Sequence, residues 1–202
     1  MTFGLIPSLR PARHRPTETP WGPSQSADQI AAGVVSYSTS SHGGIHLDAA
    51  HNAQVHEAWR TAEGWYEEDV AWGIVAVTFP DLFPQPQVER AHASLMSYMP
   101  GQYEAATGKP VPPGASHVRE DALFLKRNAD RFIVRSAIYS KQRPGFIEVV
   151  ATLGGNPTGR EKRFLVPSAE YDNRSRHFVI DEDQHECCDG KPSSFAGYSV
   201  RA

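Results

Sequence analysis

The sequence predicts an α+β fold: an antiparallel sheet in the C-terminal half packed against helices from the N-terminal half. Three observations predict it. The clearest helical stripe, Val88, Ala91, Leu95 and Met99, lies in the first half. The runs 132–139, 146–153, 160–166 and 177–180, rich in β-branched and aromatic residues, all lie in the second half. Short links join these runs, and short links imply antiparallel neighbours.

The elements are justified in chain order. Residues 1–19 hold Pro7, Pro11 and Pro16 among Arg10, Arg13 and Arg15. Proline removes backbone donors and blocks helix, so a flexible basic arm is expected there. A single domain is expected over 20–182. Val34–Ser38 (VVSYS) reads as a strand, 39–44 as a polar loop, and 45–47 as a returning strand. Asp48 suits the N-cap of a helical stretch running to Trp59, with Gly64 ending it. Residues 67–79 stay open. WGIVAVTF suits a buried strand. The acids Glu67, Glu68 and Asp69 suit a helix N-terminus, and Val70, Ile74 and Val77 fall on one helical face. Helix is the favoured reading, against the cost of Gly73. A helix is expected over 87–99, between Pro86 and Pro100-Gly101, with a helical turn near 103–106. Residues 109–114 (KPVPPG) form a connection, and 183–202 a loose tail.

Composition bounds the chemistry. The chain has 202 residues, 40% hydrophobic and 21% charged, which suits a domain with a real core. The net charge of −3 is too small for a basic nucleic-acid binder or an acidic DNA mimic. The basic arm and the strand near Arg160 are the segments through which nucleic acid would bind. No apolar run reaches the roughly 18 residues of a membrane span. Cys187 and Cys188 are adjacent, and neighbouring cysteines rarely bridge each other. That spacing and the lack of a signal-peptide pattern predict a cytoplasmic protein.

The specific chemistry is expected in 40–83. This stretch holds four of the nine histidines, three of the four tryptophans and the acid run 67–69. His42, His46, His51 and His56 lack zinc-ligand spacing, and no HExxH, CxxC or HxH pattern occurs. No metal and no cofactor are expected. The loop Ser40-Ser41-His42-Gly43-Gly44 allows close backbone approach and presents His42 to a pocket or partner. Binding is therefore expected at His42, Gly43, Gly44, Trp65, Tyr66, Glu68 and Trp72. His42, Glu67, Glu68 and Asp69 are the candidate catalytic groups. Gly154–Gly159 lacks both the GxxxxGK[ST] and GxGxxG patterns and reads as a hairpin link. Arg160, Lys162 and Arg163 after it read as solvated edge charges.

The runs TPWGPSQSADQIAAGVVSYSTSSHGGIHL, GWYEEDVAWGIVAVTFPDLF, ATLGG and RFLVPSAEY, within about 19–181, resemble an uncharacterised domain family. That family is carried by proteobacterial chromosomes, plasmids and phages, with HGG and GWYEED motifs. The resemblance implies an accessory protein of a mobile element, a setting that also holds antirestriction and anti-CRISPR proteins. It carries over no activity. The leading expectation is therefore a non-enzymatic protein that binds, and thereby inhibits, a host defence protein. The alternative is a small hydrolase or nuclease using His42 with Glu67, Glu68 or Asp69. Both require the HGG loop and the acids after Trp65-Tyr66 to share a neighbourhood.

Overall fold

The computed structural model describes residues 17–197. The chain is α+β and divides into two compact units, Met1–Arg119 and Glu120–Ala202. Of the arm expected over 1–19, residues 1–16 lie outside the described residues. Strand β1 (Glu18–Thr19) already pairs with β2 (Gly22–Pro23) in a tight hairpin with Pro20-Trp21 at its tip.

The first unit has a sheet of its own in the order β3-β4-β5-β6, wholly antiparallel. It comprises β3 (Ser26–Ala31), β4 (Val34–Ser38), β5 (Gly43–Leu47) and β6 (Trp65–Glu67). Helices α2 (Trp72–Thr78) and α3 (Gln85–Tyr98) share one core with this sheet, built on Val34, Ile45, Leu47, Tyr66, Ile74, Val75 and Leu95. The first half thus has a sheet of its own, in addition to the expected C-terminal sheet. Alternation along β4 and β5 sends Val34, Ile45 and Leu47 inward, so the sheet buries its own apolar side first.

Asp48 does cap a helix: its carboxylate accepts from the His51 N–H, which holds its pKa below the usual range. The helix, α1 (Ala49–Asn52), is far shorter than expected. Residues after it are held as irregular chain instead. Asn52 donates to the Thr61 carbonyl and accepts from the buried Tyr66 hydroxyl at 2.6 Å. Arg60 donates to the carbonyls of Val55 and Ala53. These bonds satisfy backbone that a longer helix would have satisfied itself. The open 67–79 segment takes the helical reading: WGIVAVT forms α2, not a strand, and the acids precede it rather than filling its first turn, with Glu67 ending β6.

Helix α3 takes the expected stripe, with Val88, Ala91 and Leu95 buried. Helix α4 (Pro100–Thr107) follows, and a helix beyond those expected, α5 (His117–Arg127), is capped by the Ser116 hydroxyl.

The second unit holds an antiparallel sheet in the order β10-β9-β8-β7. Its strands are β7 (Phe132–Tyr139), β8 (Phe146–Leu153), β9 (Glu161–Pro167) and β10 (Glu186–Cys187). Its core gathers Phe132, Ile147, Val149, Ala151, Phe164, Val166 and Ile180, with Tyr171 of the short α6 (Ser168–Asp172) packed against them. The expected strand at 177–180 contributes one bridge, Ile133 to Val179.

Two expectations are corrected here. Arg163 is 2% exposed rather than a solvated edge charge. Of the tail expected to be loose over 183–202, residues 188–194 are clasped to the sheet, and 198–202 lie outside the described residues. On the face opposite the core, the Arg163 guanidinium meets Glu148 at 2.7 Å and donates to the carbonyls of Cys188 and Lys191. Glu148 also accepts from the Ser193 hydroxyl and the Ser194 N–H. Burial works to raise the Glu148 pKa, but these hydrogen bonds and Arg163 outweigh it and lower it. The strand β8 is buried on both faces because residues 188–194 cover the second one.

Candidate functional site

The HGG loop and the WYEED run meet in β5 and β6. Their register pairs Gly44 with Glu67, Ile45 with Tyr66 and His46 with Trp65, and the Glu68 N–H donates to the Gly43 carbonyl at 3.0 Å. Neither Gly43 nor Gly44 has a positive φ. Both are glycine for space, and each serves one face of the strand.

On the inner face, a Cβ at Gly43 would stand 2.6 Å from Oε2 of Glu68 and 2.9 Å from the Tyr37 carbonyl oxygen. The absent side chain lets the Glu68 carboxylate lie against the strand. On the outer face, a Cβ at Gly44 would stand 2.3 Å from the Trp21 indole and 2.5 Å from the Tyr66 carbonyl. Trp21 reaches that spot from the tip of the β1–β2 hairpin, which Thr19 locks by donating to the Gly22 carbonyl and accepting from the Trp21 N–H. Trp65 is the hub of this outer face. Its ring lies 4.4 Å from His46, 5.3 Å from Tyr37 and 5.8 Å from Trp21, the last edge-on.

The inner face opens into a pocket of about 500 Å³. Its floor is low because β4 places Ser36 and Ser38 where larger residues would have filled it. Trp72, Phe83, Ile30, Ile45, Leu82 and Pro84 supply apolar wall, and Glu68, Gln87 and the two serines supply polar groups. Among the described residues, the lining holds one carboxylate and no lysine, arginine or histidine. Oxygens at one end gather around Gly43: the Glu68 carboxylate and the Tyr37 carbonyl.

The predicted residues separate by role. Gly44, Glu68 and Trp72 line the pocket, and Gly43 seats Glu68 at its rim. Trp65 belongs to the outer face. Tyr66 is fully buried and clamps the 52–61 segment. The Glu67 carboxylate accepts from the N–H groups of Asp69 and Val70, so it caps the turn leading into α2. Asp69 is exposed. His42 is exposed in the loop, where Thr39 holds its backbone. Among the described residues, no hydrogen bond joins the His42 ring to Glu67, Glu68 or Asp69. The other histidines are dispersed: His46 against Trp65, His51 on Asp48, His56 accepting from the Ala58 N–H. Among the described residues, no three His, Cys, Asp or Glu side chains converge as metal ligands. Cys187 and Cys188 are both free thiols.

Sequence reasoning missed Ile30, Ser36, Ser38, Phe83 and Gln87 in the pocket, and Trp21, Tyr37 and His46 on the outer face. One signal was available: Ser36 and Ser38 are small and polar at alternate positions of the strand face that begins with the apolar Val34.

Residues 14–129, more than half of the chain, match a family described as a domain of unknown function, DUF7007. The chain belongs to that family. The DUF7007 match spans Trp21, the HGG loop, the WYEED run and the pocket wall at Phe83, and it stops short of β7. It therefore covers less of the chain than the resemblance over 19–181 implies. No curated protein matches the chain, and no solved structure matches it. Among the described residues, no helix is long and apolar enough to cross a membrane.

Proposed function

We propose that this DUF7007 chain is a non-catalytic binding module whose inner-face pocket receives side chains of a partner protein. One observation carries the reading. Three separate segments, Trp21, His42–Gly44 and Trp65–Glu68, build the two faces of β5, and the small side chains of Ser36 and Ser38 line an open pocket on one of them. An apolar pocket with a few placed polar groups is the usual form of a binding site. The carboxylate of Glu67 is already committed to capping, and His42 has no acid partner among the described residues. Binding thus accounts for more of the arrangement than hydrolysis by a His42–acid pair does.

In the setting that the sequence resemblance implies, the partner is a host defence protein, bound and inhibited by an accessory protein of a mobile element. Affinity capture from host lysate tests the reading. The wild type should retain a partner that a Glu68→Ala/Trp72→Ala variant of unchanged circular dichroism releases. If the wild type retains nothing, or both proteins retain the same partners, the reading is wrong.

A further inference from the structure

We infer that the pocket reads an arginine side chain of its protein partner, an inference that rests on the binding-module reading above. Charge complementarity selects the class. The lining offers one carboxylate, no cationic side chain among the described residues, and acceptors in excess: Glu68, the Tyr37 carbonyl beside it, the Ser36 hydroxyl and the Gln87 amide. The Glu68 carboxylate has no hydrogen-bond partner among the described residues, so it stands ready for a donor. An anionic ligand would meet the Glu68 charge with no cationic side chain among the described lining residues to offset it. A neutral apolar ligand would bury a carboxylate without pairing it, at a cost.

Shape then favours guanidinium over ammonium. The guanidinium is planar, carries five donors in a fixed fork, pairs with a carboxylate through two parallel hydrogen bonds and stacks on aromatic rings. The pocket has the matching parts: one carboxylate lying against β5 in the space that Gly43 leaves, with the indole of Trp72 and the ring of Phe83 in the walls. An ammonium would satisfy the charge and leave the planar surface and several acceptors unused. At about 500 Å³ the pocket exceeds one side chain, so residues flanking the arginine enter with it. Arginine is among the residues that most often dominate protein interfaces.

Titration of the 15N-labelled full chain with Nα-acetyl-arginine amide tests this. Saturable shifts are expected at the amides of Gly43, Gly44 and Glu68 and at the Trp72 indole N–H. Nα-acetyl-citrulline amide, the uncharged isostere, should leave these signals in place, and Nα-acetyl-lysine amide should bind more weakly. Glu68→Gln keeps the shape of the site and should weaken the arginine probe by about tenfold or more. Equal shifts from the citrulline probe, equal affinity for the lysine probe, no shift from the arginine probe, or full binding to Glu68→Gln would each overturn the assignment. Capture from lysate with Glu68→Gln alone keeps the two readings apart. A partner that survives Glu68→Gln but not Glu68→Ala/Trp72→Ala leaves the module a binder and removes arginine as its ligand.

Discussion

Gly43 and Gly44 sit side by side and answer to different neighbours. Gly43 yields to the carboxylate of Glu68, a flexible group, and to the Tyr37 carbonyl. Gly44 yields to the Trp21 ring and to the Tyr66 backbone, neither of which can retreat far. Gly44→Ala should therefore destabilise the protein by about 1–3 kcal/mol, the usual range for overpacking, and alter the Trp21 fluorescence. Urea unfolding with fluorescence detection measures both. An unchanged midpoint would show that the hairpin tip does not rest on β5. The two cysteines make a second contrast at this scale. Burial pushes the Cys188 thiol up to about 11, while Cys187 is exposed. A disulfide reagent at neutral pH should modify one thiol per native chain, at Cys187, and the second only after unfolding. Peptide mapping of the labelled protein identifies which.

At the scale of elements, helix α2 shows how packing overrides propensity. Gly73 weakens an isolated helix, but here it lets α2 approach α3 closely. A Cβ at Gly73 would stand 3.3 Å from Cγ of Leu95 and 3.4 Å from Ala91. Tertiary contact supplies what propensity lacks. Helices α4 and α5 are joined by charge. Arg119 grips Glu104 through both nitrogens at 2.8 and 2.6 Å, and Glu104 also accepts from the Val111 N–H. The Arg119 hydrogen bonds, then that of Val111, lower the Glu104 pKa from 4.5 to about 2. A carboxylate lowered on folding stabilises the folded state fully above its unfolded value and loses that contribution as pH falls towards the folded value. The stability gap between wild type and Glu104→Gln should thus stay level above about pH 5 and close between 4.5 and about 2. Urea midpoints across that window measure it; a gap that widens on acidification would contradict the pairing.

The clasp on β8 and β9 belongs to the same scale. Arg163→Ala strands a buried Glu148 and frees the carbonyls of Cys188 and Lys191. The expected cost is about 3–5 kcal/mol, the range for breaking one side of a buried ion pair. Limited proteolysis should then cut within 185–197 well before the rest of the second unit. Equal protection in the variant would mean that the segment is held by other contacts.

For the whole molecule, charge limits what partners fit. With 20 basic and 23 acidic residues in the sequence, the chain has no large field of either sign to steer a polyanion. Labelled DNA and RNA should show no mobility shift at about 0.15 M salt, where screening removes weak nonspecific attraction. A shift at that salt would bring back the basic segments at residues 10–15 and near Arg160 as an interface. The α+β class, β4, helix α3 and strands β7 to β9 were legible in the sequence because each is long enough to carry its own period, and β5 only over 45–47, since Gly43 and Gly44 read as loop but lie in the strand. The shorter pieces were not. Strand β6 spans three residues and β10 two, below the length at which alternation can be seen. Helix α5 was legible in principle, from Ser116 at its cap to Lys126 and Arg127 in its last turn. The site was legible as a region only: the clustering of aromatics, glycines and acids pointed to 40–83.

The amino-acid order by itself determined the longer strands, helix α3 and the stretch that holds the unusual residues, since these follow from local period and composition. Only the tertiary structure decided that Glu67 caps a turn while Glu68 faces a pocket, that Arg163 is buried, and that the helices of the first unit cover a sheet of their own. The reason is physical: a side chain's role depends on which neighbour occupies the space beside it, and strand pairing brings together residues that the chain keeps twenty or more positions apart, as it does for Gly43 and Glu68.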